Sequence, residues 1–307
     1  MGGSFLEKLV RRIREERTLL CIGIDPPLSC VSVADLPCQE LEELLDSLFD
    51  KCLKLVKATA PFACCFKPNV AFFEQYGPSG MQVLRDLCKK IPEDIPIILD
   101  AKRAAMGEQA KAYAEGFLSV YNGDCITLDP YLGIDAVLPY IEKKGKGVFV
   151  VCRSSNPRSA DVQGIRVCKG ATKHGAKHVE GEGREVYMEV AKMCEEARQQ
   201  NEPRLSREGG VVGLVVGATY PDDMSKIRKL FPDLWFLAPG VGAQGGDLEA
   251  TIRAGMRKDG LGLIINVGRA ISEAEDPGKA AEELCEKIRS LIPEPSELTS
   301  PQSVPTF

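Results

Sequence analysis

Residues 98–107 read ILDAKRAAMG, an apolar run that ends on Asp100 and Lys102, opposite charges two residues apart. Along a strand, side chains two residues apart point to one face, so these two groups stand side by side. Burying such a pair is costly unless it is well hydrogen-bonded. Its place at a strand end therefore points to chemistry, the alternative being a solvated ion pair at a sheet edge. The ends of the other apolar runs supply Asp25, Lys67, Asp129, Ser154 with Ser155, Thr219, Gln244 and Arg269, a set of alternating charges suited to a single mouth. Two runs carry a second signal: LWFLAPGV leads through GAQGGD into a helix near Asp247, and GLIINVG leads through Arg269 into another. Backbone N–H groups left open by glycine, a helix N-terminus and a guanidinium together make an anion site, although turns also need glycine. The expected substrate carries a phosphate, with its reacting part over Asp100 and Lys102.

Eight apolar, β-branched runs position these groups: 18–25, 64–69, 96–102, 125–130, 147–155, 212–219, 234–241 and 262–270. They are nearly continuous rather than alternating, which suits a parallel sheet covered on both faces. Helical patterns lie between most of them, at 40–58, 78–91, 106–120, 132–143, 185–200, 220–231, 247–258 and 275–291. Eight strand–helix repeats predict a (β/α)8 TIM barrel, whose chemistry gathers where the strands end and whose phosphate site follows strands 7 and 8. A doubly wound open sheet is the runner-up, but no glycine fingerprint follows the first strand. The opening MGGSFLEKLVRRIREERT predicts an extra amphipathic N-terminal helix. One barrel domain is expected over 1–292, with 293–307 as a Pro/Ser-rich tail or linker. The long connection 156–184 reads as an active-site lid or a disordered insertion.

The chain has 307 residues, 44% of them hydrophobic, and a net charge of −5 without a basic block, which argues against nucleic acid or a membrane surface as partner. No run reaches transmembrane length. The twelve cysteines include no C-x-x-C, and Cys21, Cys64, Cys65, Cys125 and Cys152 sit in apolar runs as small buried hydrophobes. A soluble protein of a reducing compartment, the cytoplasm, is expected. His174 and His178 lie in a glycine-rich stretch with no third ligand, so no metal site is expected. Phe72, Phe73 and Trp235 read as packing residues, and Lys143, Lys144 and Lys146 as cations at a helix C-terminus.

Segments GIDPP (23–27), FKPNVAFFEQYG (66–77), LDAKR (99–103), TLDPYLG (127–133), VFVVCRSSNPRSADVQ (148–163), VVGAT (215–219), APGVGAQGGD (238–247) and NVGRAI (266–271), in this order and at strand ends, resemble the orotidine 5′-phosphate decarboxylase family, specifically its longer subgroup. The resemblance implies the same barrel, working as a homodimer on a small nucleotide substrate without metal or organic cofactor. It implies that Asp25 and Lys67 hold the ribose hydroxyls and that Asp100 faces the substrate carboxylate. Lys102 would stabilise and protonate the C6 carbanion, and Ser154 or Ser155 would hydrogen-bond the pyrimidine. Gln244 and Arg269 would grip the 5′-phosphate in a pocket shaped by Pro239. An orotate phosphoribosyltransferase domain or partner is a further implied associate.

One turn departs from the family. Its pattern Asp-x-Lys-x-x-Asp-Ile-Gly-x-Thr continues here with Ala105, Met106 and Gln109, while Gly107 keeps the register. The missing residues reach across the family dimer into the neighbouring site. Three readings stand at this point: a decarboxylase in which Glu108 or another carboxylate substitutes, a catalytically impaired nucleotide-binding homologue, or another reaction on a phosphorylated ligand.

Overall fold

The computed structural model describes residues 3–26, 36–167, 183–242 and 244–293; His174, His178 and the tail beyond Pro293 lie outside them. In chain order the strands are β1 (Leu20–Ile24), β2 (Cys65–Pro68), β3 (Ile98–Arg103), β4 (Cys125–Leu128), β5 (Gly147–Arg153), β6 (Arg166–Val167), β7 (Arg184–Glu185), β8 (Val211–Val216), β9 (Trp235–Pro239) and β10 (Leu263–Val267). Eight of them form one parallel sheet in the order β2-β1-β10-β9-β8-β5-β4-β3. Bridges Phe66↔Ile97 and Asn69↔Asp100 join its two edges, and Val70 N–H donates to the Asp100 carbonyl at 3.2 Å, so the sheet closes into the expected barrel. β6 and β7 form a separate antiparallel ribbon in the connection from β5 to β8. This ribbon belongs to the described part of the connection read as a lid or an insertion.

The helices are α1 (Phe5–Glu15), α2 (Cys38–Thr59), α3 (Ala71–Glu74), α4 (Gly77–Lys90), α5 (Gly107–Glu115), α6 (Leu138–Ile141), α7 (Ala160–Gln163), α8 (Val186–Glu208), α9 (Pro221–Leu230), α10 (Leu248–Gly255), α11 (Arg269–Ser272) and α12 (Pro277–Leu291). The expected helix at 132–143 is only a 3₁₀ turn over Ile134–Ala136 followed by α6, after Gly133 at φ +85°. α8 runs past the expected end at 200 despite Pro203, held by ion pairs from Arg198 to Glu195 and Glu202 and by buried Leu205. The segment 106–120 splits into α5 and a π-helical turn over Gly116–Val120.

α1 covers the N-terminal end of the barrel. Ser4 and Glu7 form a capping box that starts it, and Phe5 meets Phe149 of β5 edge-to-face, a pair worth about 1 kcal/mol beyond its area. Phe149 has room because its register partner is glycine: a Cβ on Gly213 of β8 would lie 2.5 Å from the ring. Trp235 opens β9 in the core, and Cys21, Cys64, Cys65, Cys125 and Cys152 are buried free thiols. With one end filled, the other is left to carry the site. No described helix is long and apolar enough to cross a membrane.

Candidate active site

β3 pairs with β4 regularly at Ile98↔Cys125 and Leu99↔Ile126, then slips, and pairing resumes at Arg103↔Leu128. Such bulges re-aim side chains beside functional sites. Here the slip encloses Asp100, Ala101 and Lys102, and Lys102 takes a left-handed backbone at φ +46°. Few non-glycine residues do so, and an L-residue is held there at a cost of about 1–2 kcal/mol.

Three donors converge on the Asp100 carboxylate. Lys67 Nζ donates to Oδ2 at 2.7 Å, Lys102 Nζ to Oδ1 at 2.5 Å, and the Thr127 hydroxyl to Oδ1 at 2.8 Å. The sequence suggested one buried Asp–Lys pair; the structure has a chain of charges instead. The side chains of Lys67 and Asp100 are 5% and 10% exposed, whereas that of Lys102 is 54% exposed. The buried partner of Asp100 is thus Lys67, and Lys102 reaches outward as the accessible ammonium. Burial acts most strongly on the Asp100 carboxyl and would raise its pKa, but Lys67 and Lys102 override it and hold the group well below the usual carboxylate range. Burial likewise works to lower the Lys67 pKa; the charges of Asp100 and then Asp25 outweigh it and hold the ammonium above its ordinary value.

Asp25 follows β1 and is half-buried, with Oδ1 lacking a hydrogen-bond partner among the described residues. Its other oxygen fits only because position 268 is glycine: a Cβ there would lie 2.7 Å from Oδ2. Asp25, Pro239, Gln244, Asn266 and Arg269 line one cavity. Arg269 opens α11 with an exposed guanidinium that has no ion pair or hydrogen bond among the described residues. Gln244 comes close to the Pro239–Gly240 turn, its Oε1 standing 2.9 Å from where a Gly240 Cβ would be. Ser155 packs on the same turn, its Cβ 3.3 Å from that position. Ser154 instead serves its own loop: its N–H donates to Gln163 Oε1 and its hydroxyl accepts from Asn156 N–H.

Some of the backbone donors expected at the anion site are already engaged. Gly242, Gly245 and Gly246 N–H groups all donate to carbonyls within the loop, and the α10 N-terminus is capped by the Asp247 carboxylate, which accepts from Ala250 N–H at 2.6 Å. These donors are taken, and Arg269 and Gln244 are the cationic and amide side chains that line the same cavity. Asp129 accepts from Tyr131 N–H in a turn and does not join the charge chain.

Thr127 was not singled out by sequence reasoning, although it stands first in TLDPYLG. Arg153 was missed as well. It is buried, donates to Asp223 at 3.0 Å and Ser159 at 2.6 Å, and lies 3.6 Å from the Tyr220 ring centroid, fastening the turn that carries Ser154 and Ser155. In the departing turn Ala105 is buried, and Met106 is 58% exposed. Glu108 pairs with Lys111 at 2.8 Å in solvent rather than with Lys102. No group of three metal-ligating side chains occurs among the described residues.

The family model described as orotidine 5′-phosphate decarboxylase / HUMPS matches residues 18–284. Orotidine 5′-phosphate decarboxylase of Roseiflexus castenholzii is 39% identical over 272 residues, 89% of this chain and 90% of its own. Among solved structures, Leishmania donovani OMP decarboxylase superposes with a TM-score of 0.75 at 36% identity, covering 94% of this chain and 98% of that one. Leishmania donovani UMP synthase does so with 0.78 at 38% identity, and there the match spans 94% of this chain but 56% of the longer protein.

Proposed function

The chain belongs to the orotidine 5′-phosphate decarboxylase / HUMPS family, and on that premise we propose that it converts orotidine 5′-phosphate to uridine 5′-phosphate, the last step of de novo pyrimidine nucleotide synthesis. The observation that carries this reading is the Lys67–Asp100–Lys102 chain, with a buried carboxylate kept ionised between one buried and one accessible ammonium. A substrate carboxylate held beside Asp100 is repelled. That repulsion eases as carbon dioxide leaves and charge moves to C6, where the Lys102 ammonium stabilises it and then delivers a proton. Lys67 keeps Asp100 charged and, with the unpartnered oxygen of Asp25, receives the ribose hydroxyls. Arg269 and Gln244 take the phosphate beside Pro239, and their binding energy holds the ring over the charges. Ser155, packed on the Gly240 turn, is better placed than Ser154 to meet the pyrimidine.

The working unit is a homodimer. Met106, Tyr131 and Leu132 follow neighbouring strands β3 and β4 and stay exposed, an apolar edge of the mouth for a second copy to cover. The likeness to a longer UMP synthase supports an orotate phosphoribosyltransferase domain or partner beside the barrel, which we place over 1–292 with 293–307 as its tail. The reaction needs no metal or organic cofactor and runs in the cytoplasm.

A second reading, nucleotide binding with impaired turnover, is favoured by one observation: Ala105 puts no carboxylate beside Lys102, and Glu108 is turned to Lys111. The experiment that separates the two follows pyrimidine absorbance with orotidine 5′-phosphate for the parent chain, Ala105→Asp and Lys102→Ala. Turnover in the parent that vanishes in Lys102→Ala establishes the decarboxylase. Turnover only in Ala105→Asp establishes the binding homologue. Silence in both sinks the proposed reaction.

A further inference from the structure

At a regular position of a parallel ladder, a strand N–H is received by a carbonyl of the neighbouring strand. The bulge in β3 breaks this pattern where Asp100 and Lys102 stand, and a side chain takes over. Lys102 N–H donates to Thr127 Oγ1 at 3.0 Å, and the same hydroxyl donates its proton to Asp100 Oδ1 at 2.8 Å. Thr127 lies on β4 between the two regular registers and is 1% exposed, so no water competes for either bond. One hydroxyl therefore ties the left-handed backbone of Lys102 to the carboxylate that its own ammonium meets.

We propose that Thr127 is a positioning residue of this site: its hydroxyl locks the bulge in register and thereby aims the Lys102 ammonium at the reacting carbon. It does not touch substrate and acts only through Lys102 and Asp100. Without the hydroxyl, Lys102 N–H loses its acceptor and the backbone has no reason to stay left-handed. Relaxation to an ordinary negative φ rotates the whole Lys102 side chain away from Asp100. Asp25, Gln244 and Arg269 stand on other strands and loops and keep their places, so the effect falls on the chemical step and not on nucleotide binding.

The kinetic part rests on the decarboxylase reading. The test uses Thr127→Val, which keeps the β-branched shape, and Thr127→Ser, which keeps the hydroxyl, with Thr127→Ala standing in should the valine variant not fold. Thr127→Val is expected to lower kcat about 100-fold, as misplacement of a reacting group by an ångström does. KM should stay within about 3-fold of the parent, and Thr127→Ser should keep kcat within about 5-fold. An unchanged kcat in Thr127→Val, a loss confined to KM, or a serine variant as poor as the valine one would each overturn the proposal. Should the parent itself show no turnover, the function reading fails alone. A crystal structure of Thr127→Val then decides: Lys102 at negative φ and withdrawn from Asp100 supports the positioning role, and Lys102 unchanged at positive φ refutes it.

Discussion

Asp100→Asn and Lys67→Met remove opposite ends of the same 2.7 Å ion pair, yet they should not cost the same. Asp100 has three donors, so losing Lys67 still leaves it the Lys102 ammonium and the Thr127 hydroxyl. What disappears is one charge-assisted hydrogen bond, worth about 1.5–3 kcal/mol, partly offset because a buried ammonium no longer needs desolvating. A net loss of about 1–2 kcal/mol follows. Lys67 is in the reverse position. Its only hydrogen-bond partner among the described residues is Asp100, it is 4% exposed, and Asp25 acts on it only at a distance. Asp100→Asn strands that ammonium in the barrel, and uncompensated buried charges of this kind cost about 3–5 kcal/mol. Lys102 is too exposed to add to the penalty. The double variant should recover about 2 kcal/mol relative to the sum of the singles, since it removes both charges together. Guanidinium denaturation of the parent, both single variants and the double, followed by tryptophan fluorescence and circular dichroism, measures all three quantities. A Lys67→Met loss equal to or larger than that of Asp100→Asn would refute the reasoning, and so would simple additivity.

Three further outcomes follow from the same geometry. The Asp100 carboxyl is depressed below its ordinary 3.8, so its contribution to stability is complete above that value and is lost as pH falls toward the folded value; denaturation midpoints of the parent should therefore fall more steeply below about pH 4 than those of Asp100→Asn, and parallel slopes would remove the ion chain as the cause. Gly268→Ala puts a methyl 2.7 Å from Asp25 Oδ2 and should raise KM for orotidine 5′-phosphate about 10-fold with little change in kcat, whereas an unchanged KM would take Asp25 out of the binding site. Arg153→Met breaks the bonds to Asp223 and Ser159 and the stacking on Tyr220 and should cost about 3 kcal/mol or more in the same denaturation assay, a loss under about 1 kcal/mol contradicting its role as a fastening.

The barrel was legible because parallel strands buried on both faces leave near-continuous apolar runs, and all eight matched a strand of the sheet. Asp25, Lys67, Asp100, Lys102, Gln244 and Arg269 were legible for a related reason: the barrel requires that strand ends meet, so residues far apart in sequence converge at one mouth. Thr127 was hidden because its partners depend on a register slip, and no propensity marks a bulge until both strands are in place. The glycine loop was legible, but not which of its N–H groups it folds back on itself, as those of Gly242, Gly245 and Gly246 do. Arg153 ends β5, but its side chain pairs with Asp223 of α9 rather than with the charge chain.

The departing turn acquires a physical meaning once the charges are counted in place. Lys67 and Lys102 face Asp25 and Asp100, two cations against two anions, so the protomer's own cluster is neutral where the further Asp that the family pattern brings in from a neighbouring protomer would make it net negative. A neutral cluster repels an incoming carboxylate less, which favours holding orotidine 5′-phosphate over driving its carboxylate off. Because that repulsion is gone once carbon dioxide has left, relief of it is felt in the ground state and not in the transition state, which lowers KM and slows the chemical step. Removing that aspartate leaves no stranded charge behind. With Ala105 in the turn, the proposed chemistry rests on how firmly Asp100 and the bulge hold Lys102 in aim.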